Sequence, residues 1–365
     1  MPSRDLDCCG APSTHGKGRL VASVPGAAPA PSLAGRDALG RPLTRCLRVL
    51  GGLSLAGALA FAFALHAGEV TVSWADVAAA LGLGPGGGAA DVVRTLRLPR
   101  ALAAYACGAL LALAGTLMQI LLRNPLADPY VLGISGGAAV GALGAIALGA
   151  AAWVVDGAAF AGALTATCLV FGLARGDGAW TPTRLLLTGV IVAAGCGAAV
   201  SFMLVMTTDI RVQSMLFWLT GDASGATRPW PAFLILLAGL ALVLPYARDF
   251  NVLARGDLPA RALGLRVERL RLLIYVMASL LTAVAVTQVG SVGFVGLVVP
   301  HLVRLALGND QRLLLPAAAL AGGALLTAAD TAARTIMAPT QLPVGVLTAL
   351  IGVPLFLFLL MRHPR

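Results

Sequence analysis

Arg97 and Arg100 stand three residues apart, and Asp330 and Arg334 stand four apart with the acid first. A guanidinium fork can hold a carboxylate at two points and steer a charged partner toward it. Two quieter roles compete. Asp330 and Arg334 can satisfy each other on one helix face, and Arg97 and Arg100 can anchor a helix end at lipid headgroups. His301 closes an apolar, Gly-rich run. An intramembrane His can relay protons or bind metal, but no partner His or Cys is within reach in sequence, which favours a structural role beside Pro300. Cys8 and Cys9 are adjacent, and Cys107, Cys168 and Cys196 lie inside apolar runs, a pattern of small packing residues rather than metal ligands or disulfides. No metal or cofactor is expected. The only Lys is Lys17, followed by Gly18, so the chain has no Walker A lysine.

The elements that position these residues are apolar helices. Of 365 residues, 58% are hydrophobic and 12% charged, where a soluble domain carries about 25% charged. The 44 Gly suit close helix packing in lipid. A span needs about 20 apolar residues, and ten windows qualify: 46–66, 100–121, 130–150, 157–174, 184–206, 231–247, 271–289, 292–308, 313–330 and 343–361. The expected fold is therefore an all-α polytopic membrane protein. Residues 1–45, rich in Pro, Gly, Ser and Ala without apolar period, read as a disordered cytoplasmic tail or a misassigned start, and residues 46–365 as one ten-helix domain. The gap at 67–99 is read as a loop, that at 207–230 as an extramembrane turn or short helix, and that at 248–270 as short helices.

Charge sets the orientation. With a cytoplasmic N-terminus, only Arg94, Arg97, Arg100, Arg211, Arg228 and Arg334 of the 26 Lys and Arg fall outside. The positive-inside rule then places both termini in the cytoplasm. The net charge of +10 does not indicate nucleic acid, because the Arg residues fill gaps between apolar runs and form no stripe with aromatics.

Three blocks carry a resemblance. The first is Arg97-Leu-Pro-Arg100, then Gly115-Thr-Leu-Met-Gln119, Arg123-Asn-Pro-Leu-Ala-Asp-Pro129 and Leu132-Gly-Ile-Ser-Gly-Gly-Ala138. The second is Ala260-Arg-Ala-Leu-Gly264. The third runs from Gly293-Phe-Val-Gly-Leu-Val-Val-Pro-His301 to Asp330-Thr-Ala-Ala-Arg334, with Leu342-Pro-Val-Gly345 and Gly352-Val-Pro354 after it. In this order and spacing, over 46–361, the chain resembles the FecCD permeases, transmembrane subunits of ABC importers for iron-siderophores, heme or cobalamin. Two positions depart from the family's usual residues: Gln341 stands where Glu is common, and Gln311 where His is.

The resemblance implies a type II ABC importer permease in the bacterial inner membrane, working as a homodimer with two ATPase subunits and a periplasmic substrate-binding protein. It implies that Arg97, Arg100 and Arg334 face the periplasm and pair with Glu residues of the binding protein. It implies a cytoplasmic gate at Asn124, Leu126, Pro182 and Thr183, with a hydroxyl residue usual where Pro182 stands. It implies a coupling segment that inserts into the ATPase, carrying Ala254, Gly256, Ala260, Leu263 and Gly264. A plain tight turn at 123–129 and a solvated basic loop at 248–270 are the competing readings.

The spans hold almost no mid-membrane carboxylates, whereas proton-coupled secondary transporters place acids near the midplane. Energy from a separate ATPase follows, independently of the resemblance. A secondary transporter or channel is the rival class. A membrane enzyme is disfavoured because no acid, His or Cys cluster exists to do chemistry. The expected cargo is an iron chelate of siderophore type, with cobalamin or heme as alternatives.

Overall fold

The computed structural model describes residues 36–85, 87–175, 181–226 and 228–362. Met1–Leu43 and Thr44–Arg365 separate as two units, and the spans lie in the second. The tail expected over 1–45 falls outside the described residues as far as residue 35, and the first helix begins at Arg36. Among the described residues there are helices and no strands: α1 (Arg36–His66), α2 (Trp74–Ala80), α3 (Gly88–Val92), α4 (Leu98–Leu121), α5 (Ile134–Ala147), α6 (Ala152–Arg175), α7 (Pro182–Met206) and α8 (Asp209–Thr220). There follow α9 (Trp230–Val243), α10 (Ala247–Leu253), α11 (Asp257–Ala262), α12 (Val267–Val289), α13 (Val295–Leu307), α14 (Gln311–Thr335) and α15 (Val344–Arg362).

Seven helical segments among the described residues are long and apolar enough to cross a membrane, and three shorter apolar helices, α5, α13 and α15, complete the ten windows. The shorter two have a physical reason. Helices α5 and α13 have 14 and 13 residues, about 20 Å at 1.5 Å per residue, less than a hydrocarbon core of about 30 Å. Both start inside the bundle. Gly296, near the start of α13, packs on Gly115 in the lower half of α4, where a Cβ would sit 1.9 Å from the Gly296 carbonyl oxygen. The segment before α5 is covered by α7, since a Cβ on Gly189 would sit 2.6 Å from the Val131 carbonyl oxygen. The Val292 amide, just before α13, donates to the Tyr130 hydroxyl (3.1 Å), and the Ser135 and Ser291 hydroxyls lie 2.9 Å apart. Irregular backbone at depth survives where protein groups satisfy it.

Helix α4 is the axle. It is enclosed along nearly all its length and packs on α12, α13 and α14. Close approach to α14 depends on Gly108 and Gly322, where a Cβ on either would lie 2.2–2.4 Å from the other's carbonyl oxygen. Small residues at such crossings let backbones approach where lipid supplies no hydrophobic drive between helices. Helix α7, by contrast, is apolar and scarcely buried, with Leu187, Ile191, Phe202 and Met206 exposed on its surface.

The gap at 67–99 is more ordered than a loop. Ser73 caps α2: its hydroxyl accepts from the Asp76 amide (3.2 Å), and the Asp76 carboxylate accepts from the Ser73 amide (2.9 Å). This reciprocal cap satisfies two orphan donors of a helix start. The gap at 207–230 carries α8, and that at 248–270 carries α10 and α11.

Candidate functional site

The two ends of α4, about 35 Å apart by its 24 residues, hold the two groups of candidate residues. At the first end lie three arginines, two of which, Arg100 and Arg334, approach Asp330. Arg97 is 6% exposed. It donates to the Leu65 and His66 carbonyls (3.0 and 2.6 Å) and to that of Val70, so it satisfies the carbonyls where α1 ends. Gly68 makes room, since a Cβ there would lie 2.8 Å from the guanidinium. Arg100 grips Asp330 of α14 through Nε and Nη2 at 2.9–3.1 Å, and its Nη1 donates to Gln341 Oε1 (2.9 Å). Asp222 lies 3.9 Å from the same guanidinium. Arg334, 8% exposed, donates to the Ala64 carbonyl, while its Nε stays 3.9 Å from Asp330 and unbonded.

The Asp330–Arg334 helix pair considered from spacing is therefore the weaker contact. The carboxylate turns to Arg100, 230 residues away in sequence, with two-point geometry. Gln341 accepts from the same fork without adding charge. A cavity of about 940 Å³ opens beside this cluster, lined by Trp153, Asp156, Gln213, Trp218, Asp222 and Arg228 among others.

At the other end, the chain leaving α4 turns at Arg123, whose φ of 48° is left-handed. Asn124 then forms a side-chain turn, its Oδ1 accepting from the Leu126 amide (3.0 Å). Asp128 Oδ1 accepts from the Tyr130 amide (2.8 Å) and starts the turn into α5. Pro182 is the first residue of α7, where its missing N–H costs nothing, and Thr181 caps that helix through the Arg184 amide (3.3 Å). Pro182 brings no hydroxyl, and Thr183 is exposed. Contacts joining the 123–133 segment to α7 run through Val131, Leu132 and Gly189.

The segment around α11 lies at this same end. Gly256 has φ +128°, and Gly264, just after α11, has φ +78°. The Leu265 amide returns to the Ala260 carbonyl (3.0 Å) and closes the helix end. Ala254 and Leu263 are exposed while Ala260 is fully buried, so Ala260 holds the segment down rather than presenting it. Leu258 is 84% and Leu263 70% exposed, and Leu258 was not singled out from sequence. Asp257 Oδ1 accepts from Arg123 Nη2 and Oδ2 from Arg271 Nη2, both at 2.5 Å. A cavity of about 760 Å³ is lined here by Gln119, Arg123, Arg255, His301, Arg304 and Asp310 among others. His301 packs edge-on to Phe356 at 6.3 Å. Among the described residues no group of three His, Cys, Asp or Glu could hold a metal ion.

The ten apolar helices among the described residues, with polar clusters at the two ends of α4, make a multi-pass membrane protein. The chain belongs to the FecCD transport family, whose model matches residues 56–362. It is 46% identical over 274 residues to the cobalamin import system permease protein BtuC of Halobacterium salinarum, covering 74% of this chain and 73% of that one. It is 42% identical over 282 residues to the hemin transport system permease protein HmuU of Yersinia pestis, covering 73% and 82%. The vitamin B12 import system permease protein BtuC of Salmonella arizonae matches at 37% over 326 residues, covering 88% and 96%. A solved inward-facing metal-chelate type ABC transporter superposes with a TM-score of 0.77 at 30% identity, covering 87% of this chain and 99% of that one.

Proposed function

We infer that the chain is the permease subunit of a binding-protein-dependent ABC importer for a bulky metal chelate. The observation that carries this reading is the match to permeases over nearly the whole transmembrane bundle. The chain itself does no covalent chemistry, and a separate ATPase, in two copies, supplies the energy. The relatives' cargoes, cobalamin and hemin, share the size and polarity of a large chelate, as does an iron-siderophore, and the choice among them rests with the binding protein.

The translocation path runs between two copies of this chain. In support, the middle of one bundle is filled by α4, whose side chains are buried on all sides, while α7 presents an apolar face with little cover. The Arg100 end is the periplasmic, docking end, and both termini are cytoplasmic, as the positive-inside distribution requires. Arg97, Arg100 and Arg334 at this end face two acids, Asp330 and Asp222, which leaves positive charge in excess there, a field that attracts an acidic partner. All three spend donors within the chain, Arg97 and Arg334 on carbonyls and Arg100 on Asp330 and Gln341, and Arg100, at 12% exposed, is the member most open to a partner's carboxylate. The Arg123 end is cytoplasmic, with the gate at Asn124, Leu126, Pro182 and Thr183. Exposed Leu258 and Leu263 on the α11 segment meet the ATPase.

The test is uptake into proteoliposomes of iron-siderophore, heme and cobalamin, each with its binding protein, with and without the ATPase. Uptake that needs both partners and ATP supports the reading. Uptake driven by an ion gradient alone would assign the chain to secondary transport.

A further inference from the structure

We propose that Asp257 is the link through which movement of the ATPase-facing segment reaches the cytoplasmic gate. This rests on the gate and coupling assignments above. Three parts of the chain meet at its carboxylate. Asp257 opens α11, Arg123 closes α4 and leads directly into the Asn124–Leu126 turn, and Arg271 sits in the first turns of α12. Each carboxylate oxygen has its own arginine at 2.5 Å. Arg271 is 4% exposed and fixed in the bundle. Glu268 lies 3.8 Å from its Nη1 and also accepts from Arg261 of α11 at 3.4 Å. Asp257 therefore carries α11 on an anchored cation with one oxygen and holds the gate turn with the other.

The backbone on both sides is shaped for this contact. Gly256 has a φ that L side chains rarely adopt, and a Cβ there would stand 3.8 Å from Arg123 Nη1. Arg123 adopts the left-handed conformation that usually falls to Gly at a helix C-terminus. That backbone turns the chain at the end of α4 while its guanidinium lies on Asp257. The Arg123–Asp257 pair is about one-third exposed, and pairs so placed add little to stability. Its consequence is geometric: while the pair is made, a shift of the segment under the ATPase draws on the residue beside the gate.

The experiment uses the permease–ATPase complex in proteoliposomes with the binding protein and its cobalamin, heme or siderophore cargo, whichever the wild type transports. Asp257→Asn and Arg123→Gly should keep the ATPase bound and hydrolysing, while cargo moved per ATP falls at least tenfold. Asp257→Glu should keep cargo per ATP within about threefold of wild type. Arg123→Gly relieves the left-handed backbone, so its thermal midpoint should equal or exceed that of wild type, a result that a stabilising role for Arg123 would reverse. Wild-type cargo per ATP in both variants would overturn the link while leaving the transport reading intact. Loss of ATPase binding in Asp257→Asn would also overturn it, by making Asp257 a plain part of the docking surface. Wild-type uptake that needs no ATPase would remove the ABC-importer reading and this inference with it.

Discussion

Arg100 and Asp330, on helices that cross at Gly108 and Gly322, are joined by a two-point fork that is 12% and 3% exposed on its two sides. A pair so enclosed is worth little against a hydrophobic replacement, but losing one partner strands the other. Arg100→Ala should cost about 3–5 kcal/mol of stability, because Asp330 then keeps only Arg334, at 3.9 Å. Arg100→Met with Asp330→Leu should fall close to wild type. Thermal unfolding in detergent decides this, and a single variant as stable as wild type would show that the fork holds nothing together.

Docking separates charge from geometry at the same residue. Arg100→Gln should slow association of the binding protein and flatten its dependence on salt, since removing one cation from the cluster weakens the field that steers an acidic partner. Arg100→Lys keeps the charge and loses the fork, so its on-rate should stay near wild type. Equal on-rates for Gln, Lys and wild type by surface-immobilised binding would return Arg100 to a structural role alone.

The α11 segment makes two opposite predictions. Leu258→Asp and Leu263→Asp place charge on the exposed apolar positions proposed to meet the ATPase, and each should strongly reduce its co-purification while the permease still inserts. Ala260→Leu overfills a buried site and should destabilise the permease itself by about 1–3 kcal/mol. Full ATPase recovery with both Asp variants would remove the coupling assignment.

Helix crossing predicts a sharp contrast between glycines. Gly108→Val drives a side chain into the Gly322 carbonyl and should abolish the folded, monodisperse fraction in size-exclusion chromatography. Gly225 has open space around the position of a Cβ, and Gly225→Ala should stay within about 0.5 kcal/mol of wild type.

Orientation is checked by reporter fusions. Fusions after Arg255 and after Arg365 should both report the cytoplasm. A periplasmic signal at either would mean an odd number of crossings between that point and the N-terminus.

The spans were readable because each needs only an unbroken apolar run, and the ten windows coincide with ten apolar helices in the structure. Their depth was not readable. That α5 and α13 start inside the bundle follows from Gly115 meeting Gly296 and from Tyr130 accepting from Val292, contacts between residues more than 160 positions apart. The cap of α2 left a local signal, Ser73 three residues before Asp76, inside a gap that otherwise reads as loop. The arginines stood out in the sequence, yet spacing offered Asp330 only its helix neighbour Arg334, because nothing local points to Arg100. Asp257 was passed over for the same reason. In a basic segment a lone acid looks solvated until Arg123 and Arg271 are brought to it by the fold.

The way α1 ends has a consequence for biosynthesis. Its last carbonyls are satisfied by Arg97, about thirty residues downstream, and by Arg334, which arrives 270 residues after Ala64. A ribosome that has released only the first helix has made a segment whose terminus still depends on water or headgroups. The first helix is therefore fastened at its end only after the second has entered the bilayer, and again when the ninth closes the bundle. Chains truncated between those points should be recognised by membrane quality control at α1, the part made first.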